Sequence, residues 1–219
     1  MVTRGRPAFA AEALDCYRSQ TYDDRELIVV DDADEPSFPN KPLEKCVYIR
    51  MNERWTIGAK RNLACEFATG DFIAHFDDDD YSAPDRIEDQ LARLVADDRL
   101  RMIGYNGMIF AEHDGAKAYK YRGGAVIGAS LFYSRSFWKE NRFPDLQIGE
   151  DGHLIGIAAR SGALSFSDAW DVLRNQPLMI SWLHAKHTTE RNIVPDENNW
   201  RVCARPEQAT DIFGRKVYR

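Results

Sequence analysis

No stretch of the 219 residues approaches the ~20 apolar positions that a bilayer-crossing helix needs. The opening Met1-Val2-Thr3-Arg4-Gly5-Arg6-Pro7 carries no charged-then-apolar leader and runs straight into a helical pattern, so the expectation is a cytoplasmic chain or a soluble piece of something larger. The four cysteines (Cys16, Cys46, Cys65 and Cys203) form no C-x-x-C pair, which excludes a zinc knuckle or disulfide scaffold and predicts reduced, mostly buried thiols. Neither G-x-x-x-x-G-K-[ST] nor G-x-G-x-x-G occurs, which removes P-loop kinases and Rossmann dehydrogenases. Basic excess is missing too. The net charge is −6, and an acidic chain lacks the broad basic face that phosphate-backbone binding requires, so nucleic acid is not expected as the main partner. Internal repeats and low-complexity tracts are absent.

What remains is ordinary globular material, 44% hydrophobic and 29% charged. Ala10, Ala13, Leu14 and Tyr17 lie at i, i+3, i+4 and i+7, one face of a helix from Pro7 to Gln20. Glu26–Val30, ending in Asp31-Asp32, reads as a buried strand, and Cys46–Arg50 as a second. A helix follows over Ile57–Thr69, stopped by Gly70, then a strand over Phe72–Phe76. Pro84 opens a helix with Ile87, Leu91, Leu94 and Val95 inward. Helix and strand therefore alternate over the first ~100 residues, which implies a parallel sheet with crossover helices.

After Arg101 the pattern predicts strands at Met102–Tyr105, Met108–Ala111, Ala118–Arg122, Ala129–Ser134 and Ile180–Leu183, with helices near Phe137 and over Asp151–Arg160. The expected organisation is one α/β domain over residues 1–219, with a nucleotide-binding half (1–100) and an acceptor-facing half (101–219). Only Met1-Val2-Thr3 precede the first helix where a full strand is expected, so either the first strand is very short or several residues precede it, the second being the favoured expectation. Trp138, Trp170, Trp182 and Trp200 are expected as core or rim residues rather than as sugar platforms.

Asp77-Asp78-Asp79-Asp80 is the strongest chemical signal. Adjacent carboxylates after a buried strand repel one another unless a cation is near. The C-terminal edge of a parallel sheet is where open α/β folds bind ligands. Magnesium or manganese takes carboxylate oxygens and leaves positions open for substrate phosphates.

The segments Ile57–Ala64 and Ala68–Ile87, with Ser19-Gln20-Thr21-Tyr22, Glu26–Asp32, Gly128–Phe132, Phe143-Pro144-Asp145 and Gly149-Glu150-Asp151, resemble family 2 glycosyltransferases. Those are inverting enzymes of the GT-A fold, with a mostly parallel central sheet flanked by helices. The resemblance implies transfer from a nucleotide-sugar donor, a UDP-sugar first, to a glycan or other hydroxyl acceptor. It implies that Asp77 and Asp79 are the two acids of the D-x-D motif, with Asp79 the better candidate for metal contact and Asp78 near the ribose. Asp31 or Asp32 would meet the base, Thr3 would lie at the nucleotide, and Lys60 and Arg61 would approach base or diphosphate. Asp151 matches the general base, and Glu150 shares that role or holds the acceptor. His184 matches the family's late metal- or diphosphate-binding histidine. His187 replaces a usual asparagine, which leaves open which imidazole takes the role.

Two other readings stand beside this one. A sugar nucleotidyltransferase would use a similar sheet and acidic site, but only Arg4-Gly5-Arg6 hints at its triphosphate loop. A non-catalytic sugar-binding protein would predict loss of Asp79, Asp151 or the late histidine, and all three positions are filled.

Overall fold

The computed structural model describes residues 1–38, 45–113, 115–185, 193, 195 and 199–207. A short strand β1 (Val2–Thr3) leads into α1 (Pro7–Arg18), with Pro7 in its first turn, and on to β2 (Leu27–Asp31), β3 (Cys46–Arg50) and α2 (Ile57–Phe67). β1, β2 and β3 form a parallel sheet with β2 central, and every residue of β2 is buried, as its continuous apolar run requires. Ala10, Ala13, Leu14 and Tyr17 of α1 are all buried.

Thr56 caps α2, its hydroxyl accepting from the Ala59 N–H (3.1 Å). The helix stops at Phe67, two residues short of the sequence expectation. Thr69 N–H and Oγ1 and Gly70 N–H all donate to the Glu26 carboxylate, so an acid from outside the helix takes over these donors.

The chain continues through β4 (Phe72–Ala74), β5 (Asp80–Ser82) and α3 (Arg86–Val95), then β6 (Met102–Glu112), β7 (Ala118–Arg122) and β8 (Phe132–Ser134). α4 (Arg135–Glu140), α5 (Glu150–Arg160), β9 (Leu164–Asp168), β10 (Trp170–Asp171), β11 (Gln176–Pro177), β12 (Met179–Leu183) and β13 (Trp200–Cys203) follow. β6 is the hub of a second, mixed sheet. It pairs parallel with β9 and β12 and antiparallel with β7 and β8. β4 joins this sheet through β8, and β5 through β12. Both halves of the chain thus contribute strands to one sheet.

Three local expectations are corrected. β6 is one strand, not two: a register shift between Tyr105 and Gly107 bulges it where the sequence suggested a turn. Residues 128–130 form a 3₁₀ turn before β8, because Ser130 Oγ donates back to the Ile127 carbonyl (2.7 Å). Val95 is 56% exposed, because the inner face of α3 is completed by Arg86 and Gln90, both fully buried, rather than by Val95. β5, β9, β10, β11 and β13 had no counterpart in the sequence reading.

The core has two parts. The larger lies between α1, α3 and the central strands; the smaller gathers Cys65, Leu131, Tyr133, Trp138, Phe143 and Leu154 beneath α2, α4 and α5. Trp138 is buried and donates Nε1–H to Asn62 Oδ1 (3.0 Å), as a structural tryptophan. All four cysteines are free thiols, and Cys16 and Cys65 are buried. Among the described residues no helix is long and apolar enough to cross a membrane.

Candidate active site

β4 is followed by the buried His75 and Phe76, and β5 begins at Asp80 because it pairs with β12, Asp80 opposite Ser181. The intervening Asp77–Asp79 turn is forced to the sheet edge. Arg86, fully buried, holds both ends of that turn, donating to the His75 carbonyl (2.8 Å) and to Ser82 Oγ (2.9 Å). One carboxylate oxygen each from Asp77, Asp79 and Asp80 lies within 4.8 Å of the others. β12 delivers His184 to the same place, its Nε2 3.2 Å from Asp79 Oδ2, and the Phe9 ring of α1 stacks on the imidazole at 4.3 Å.

These residues fit a divalent cation. Two ligand atoms each ~2.1 Å from one ion stand roughly 3 Å apart when they occupy adjacent octahedral positions, and Asp79 Oδ2 and His184 Nε2 already have that spacing. Oxygen-rich donors with one imidazole suit manganese or magnesium. Asp80 completes the acidic triad and had no separate role in the sequence reading. His187 lies outside the described residues.

Asp78 faces inward and is buried. It accepts from Thr3 Oγ1 (2.6 Å) and from the Arg6 guanidinium, which also reaches Asp79. Burial raises the Asp78 carboxyl above the usual carboxylate range, against the opposing pull of Arg6.

α2 supplies Arg61, which joins Asp77 (3.3 Å) to Glu150 (3.2 Å). Burial works against its charge, but Asp77 and Glu150 outweigh this and raise its pKa. Burial pushes the Glu150 carboxyl up, with Arg61 opposing. α5 starts where it does because Gly149 takes φ +83°, a left-handed conformation that turns the chain so that Glu150 and Asp151 open the helix. The Asp151 carboxylate accepts from the Gly152 N–H (2.7 Å) and lies against Gly128. Asp77, Asp78, Asp79, Arg6, Arg61, Glu150 and Asp151 all line one cleft of about 340 Å³. Ile148, 59% exposed, stands on its rim.

Under the cleft runs a directional hydrogen-bond chain. The Gly128 carbonyl can only accept, so His75 Nδ1 carries the hydrogen (2.8 Å) and His75 Nε2 accepts from the Tyr133 hydroxyl (3.2 Å). The Cys65 thiol in turn contacts Tyr133 Oη (3.6 Å). Burial holds the His75 pKa well below its ordinary value, so the ring is neutral, as this pattern needs.

The remaining candidates are anchored elsewhere. Asp31 has no exposed side-chain surface. It accepts from Ala33 N–H (2.9 Å), Ser37 N–H (2.8 Å), the Tyr48 hydroxyl (2.5 Å) and Arg50 (3.1 Å). Burial alone would raise its pKa; these donors, Tyr48 foremost, hold it below the usual value. Asp32 is equally enclosed, bound to Lys60 Nζ (2.8 Å) and the Trp55 N–H (2.9 Å). A larger cavity, about 540 Å³, lies at the opposite ends of β2 and β4, by Leu27 and Phe72, and shares no residue with the cleft.

The arrangement is that of an α/β protein of the GT-A class, with an acidic, cation-competent turn and a second carboxylate pair on one cleft. The chain belongs to glycosyl transferase family 2, whose sequence signature matches residues 1–169. It is 36% identical over 93 residues to EpsH of Bacillus subtilis (strain 168), a protein that carries a glycosyltransferase name, covering 39% of this chain and 26% of EpsH. EpsE of the same strain, named likewise, is 32% identical over 111 residues, covering 47% of this chain and 39% of EpsE. The chain thus spans well under half of both relatives.

Among solved structures, Staphylococcus aureus TarS 1-349 in complex with UDP-GlcNAc superposes with a TM-score of 0.65 at 16% identity, covering 88% of this chain and 60% of that one. The mannosyltransferase PcManGT of Pyrobaculum calidifontis, in complex with GDP-Man and Mn²⁺, gives 0.59 at 16% identity, covering 83% and 55%. Glucosyl-3-phosphoglycerate synthase of Mycobacterium tuberculosis, with Mn²⁺, UDP and glucosyl-3-phosphoglycerate, gives 0.58 at 14% identity, covering 76% and 67%. At these identities the likeness establishes the shared fold.

Proposed function

We propose that this chain is a metal-dependent, inverting glycosyltransferase that moves a sugar from a nucleoside-diphosphate donor, a UDP-sugar in this reading, to an acceptor hydroxyl. The observation that carries the proposal is the convergence of the Asp77–Asp79 turn and the Glu150–Asp151 pair on one cleft. Asp79 and His184 would hold manganese or magnesium, with Asp77 and Asp80 beside them. The ion, when bound, neutralises charge on the departing diphosphate. Asp151 takes the acceptor's proton as its oxygen attacks the anomeric carbon, and the opposite-side approach inverts that centre. Glu150 is held by Arg61 and orients the acceptor. Asp78, fixed by Thr3, stands towards the ribose, and residues 1–100 supply most of the donor side. Asp31 or Asp32 meets the base only by giving up one of the protein donors that enclose it. The nucleotide-sugar and manganese complexes of the structural neighbours support this reading.

Calorimetric titration of UDP, and of GDP in parallel, with manganese and then with EDTA tests the donor site. Metal-dependent binding of either nucleotide is expected; no binding under any condition would sink the proposal. Asp151→Asn should keep donor binding while turnover drops by about 10²–10⁴-fold.

A further inference from the structure

Arg6 is the residue of the site that neither the family resemblance nor the mechanism above uses. It precedes α1, where its carbonyl accepts from the Ala10 N–H (3.0 Å), so its backbone is fixed. Its guanidinium is divided between two acids. Nε and one terminal nitrogen grip both oxygens of Asp78 (3.1 and 2.5 Å), and the other terminal nitrogen donates to Asp79 Oδ2 (2.5 Å). That same Asp79 oxygen is the atom 3.2 Å from His184 Nε2. The guanidinium and a divalent ion therefore claim one carboxylate oxygen, and two cations side by side repel.

The two grips are not equivalent. Asp78 is 1% exposed and needs the fork to neutralise it, whereas Asp79 is more open, at 13%. An entering ion would break the bond to Asp79 and leave the fork on Asp78. The terminal nitrogen released this way belongs to a side chain that lines the cleft, where a diphosphate bound to the same ion offers it oxygen acceptors.

We infer that Arg6 is a resident counter-cation at Asp79 that the divalent ion must displace, and that its displaced nitrogen passes to the donor diphosphate, so that ion and donor bind cooperatively. The inference rests on the metal site proposed above. Coupling of this kind is reciprocal: whatever the diphosphate gains from the ion, the ion gains from the diphosphate.

The test is manganese binding, followed by electron paramagnetic resonance of the free ion, with and without UDP, in wild type, Arg6→Gln and Asp79→Asn. Arg6→Gln should bind manganese alone about tenfold more tightly than wild type, and UDP should improve its manganese affinity far less than it improves that of wild type. Arg6→Gln strands the Asp78 carboxylate, so the double variant Arg6→Gln/Asp78→Asn, with a neutral pair, is measured alongside, its fold checked by circular dichroism; it should show the same tightening. If both variants bind manganese alone no more tightly than wild type, while Asp79→Asn abolishes binding, the role of Arg6 is wrong and the metal site stands. If manganese binds no form of the protein, with or without UDP, the metal site and this inference fall together.

Discussion

Asp151 places its carboxylate in the space that any side chain at residue 128 would fill: a β-carbon on Gly128 would fall 1.5 Å from Asp151 Oδ2. No relaxation of a carboxylate held by a helix N-terminus absorbs such an overlap without moving it. If Asp151 is the base proposed above, Gly128→Ala should therefore act as its partial loss. Turnover of a UDP-sugar should fall by about tenfold or more, approaching the ~10²–10⁴-fold of a lost general base, while manganese-dependent UDP affinity stays at the wild-type value. Paired steady-state kinetics and calorimetry check this, and an unchanged turnover number would remove Asp151 from the reaction.

Arg61 should matter to the fold as well as to the site. Replacing it with Met leaves Glu150 buried and Asp77 partly buried, each without its cation. Breaking a buried pair from one side costs about 3–5 kcal/mol, and the partial exposure of Asp77 puts the expectation near the low end. Urea unfolding of Arg61→Met against wild type measures it; a loss under about 1 kcal/mol would show that water already screens this pair.

The two late histidines are separable by substitution. His184→Ala removes an imidazole that sits 3.2 Å from Asp79 and is backed by Phe9. Manganese affinity in the presence of UDP should drop by about 10–100-fold, whereas His187→Ala should leave it unchanged. The opposite result would transfer the ligand role to His187.

Glu12 of α1 gives the stability a pH dependence unrelated to catalysis. Burial raises its carboxyl from 4.5 to about 7, with His113 opposing. The folded state therefore holds a proton that the unfolded state has released between those two values. Its contribution is fully present below about 4.5 and is lost as pH rises through 7. Glu12→Gln should raise Tm at pH 8 and leave it unchanged at pH 4.5. For a half-buried group the effect is on the order of 1 kcal/mol after solvent screening, or about 2–4 °C at this chain length. A thermal melt at each pH decides it.

Much of this was readable from the sequence because the signals were local. Four acids following a short strand, a glycine turning into Glu150-Asp151, and an apolar helix face at Ala10, Ala13, Leu14 and Tyr17 are all written within a few residues, although β4 itself is exposed or half-buried rather than buried. What escaped depends on partners far apart in the chain. Arg6 meets Asp78 across 72 positions, and Arg61 meets Glu150 across 89. β5 was hidden because its first residue belongs to the acidic run and its pairing partner lies about a hundred residues later. Val95 misled because two polar residues, Arg86 and Gln90, took the buried face that hydrophobicity alone assigns to it. Asp31 and Asp32 stand where the motif places them, yet their saturation by Tyr48, Lys60 and backbone amides is a tertiary fact.

The chain from Cys65 through Tyr133 and His75 ends on the carbonyl of Gly128, the residue against which Asp151 rests. His75 also stands immediately before Phe76 and the acidic turn. A single imidazole is thus the gauge between the two chemical banks of the cleft, and its setting is read from the core. Packing changes at Cys65 or Tyr133, neither of which lines the cleft, would shift Gly128 and the acidic turn relative to one another from beneath.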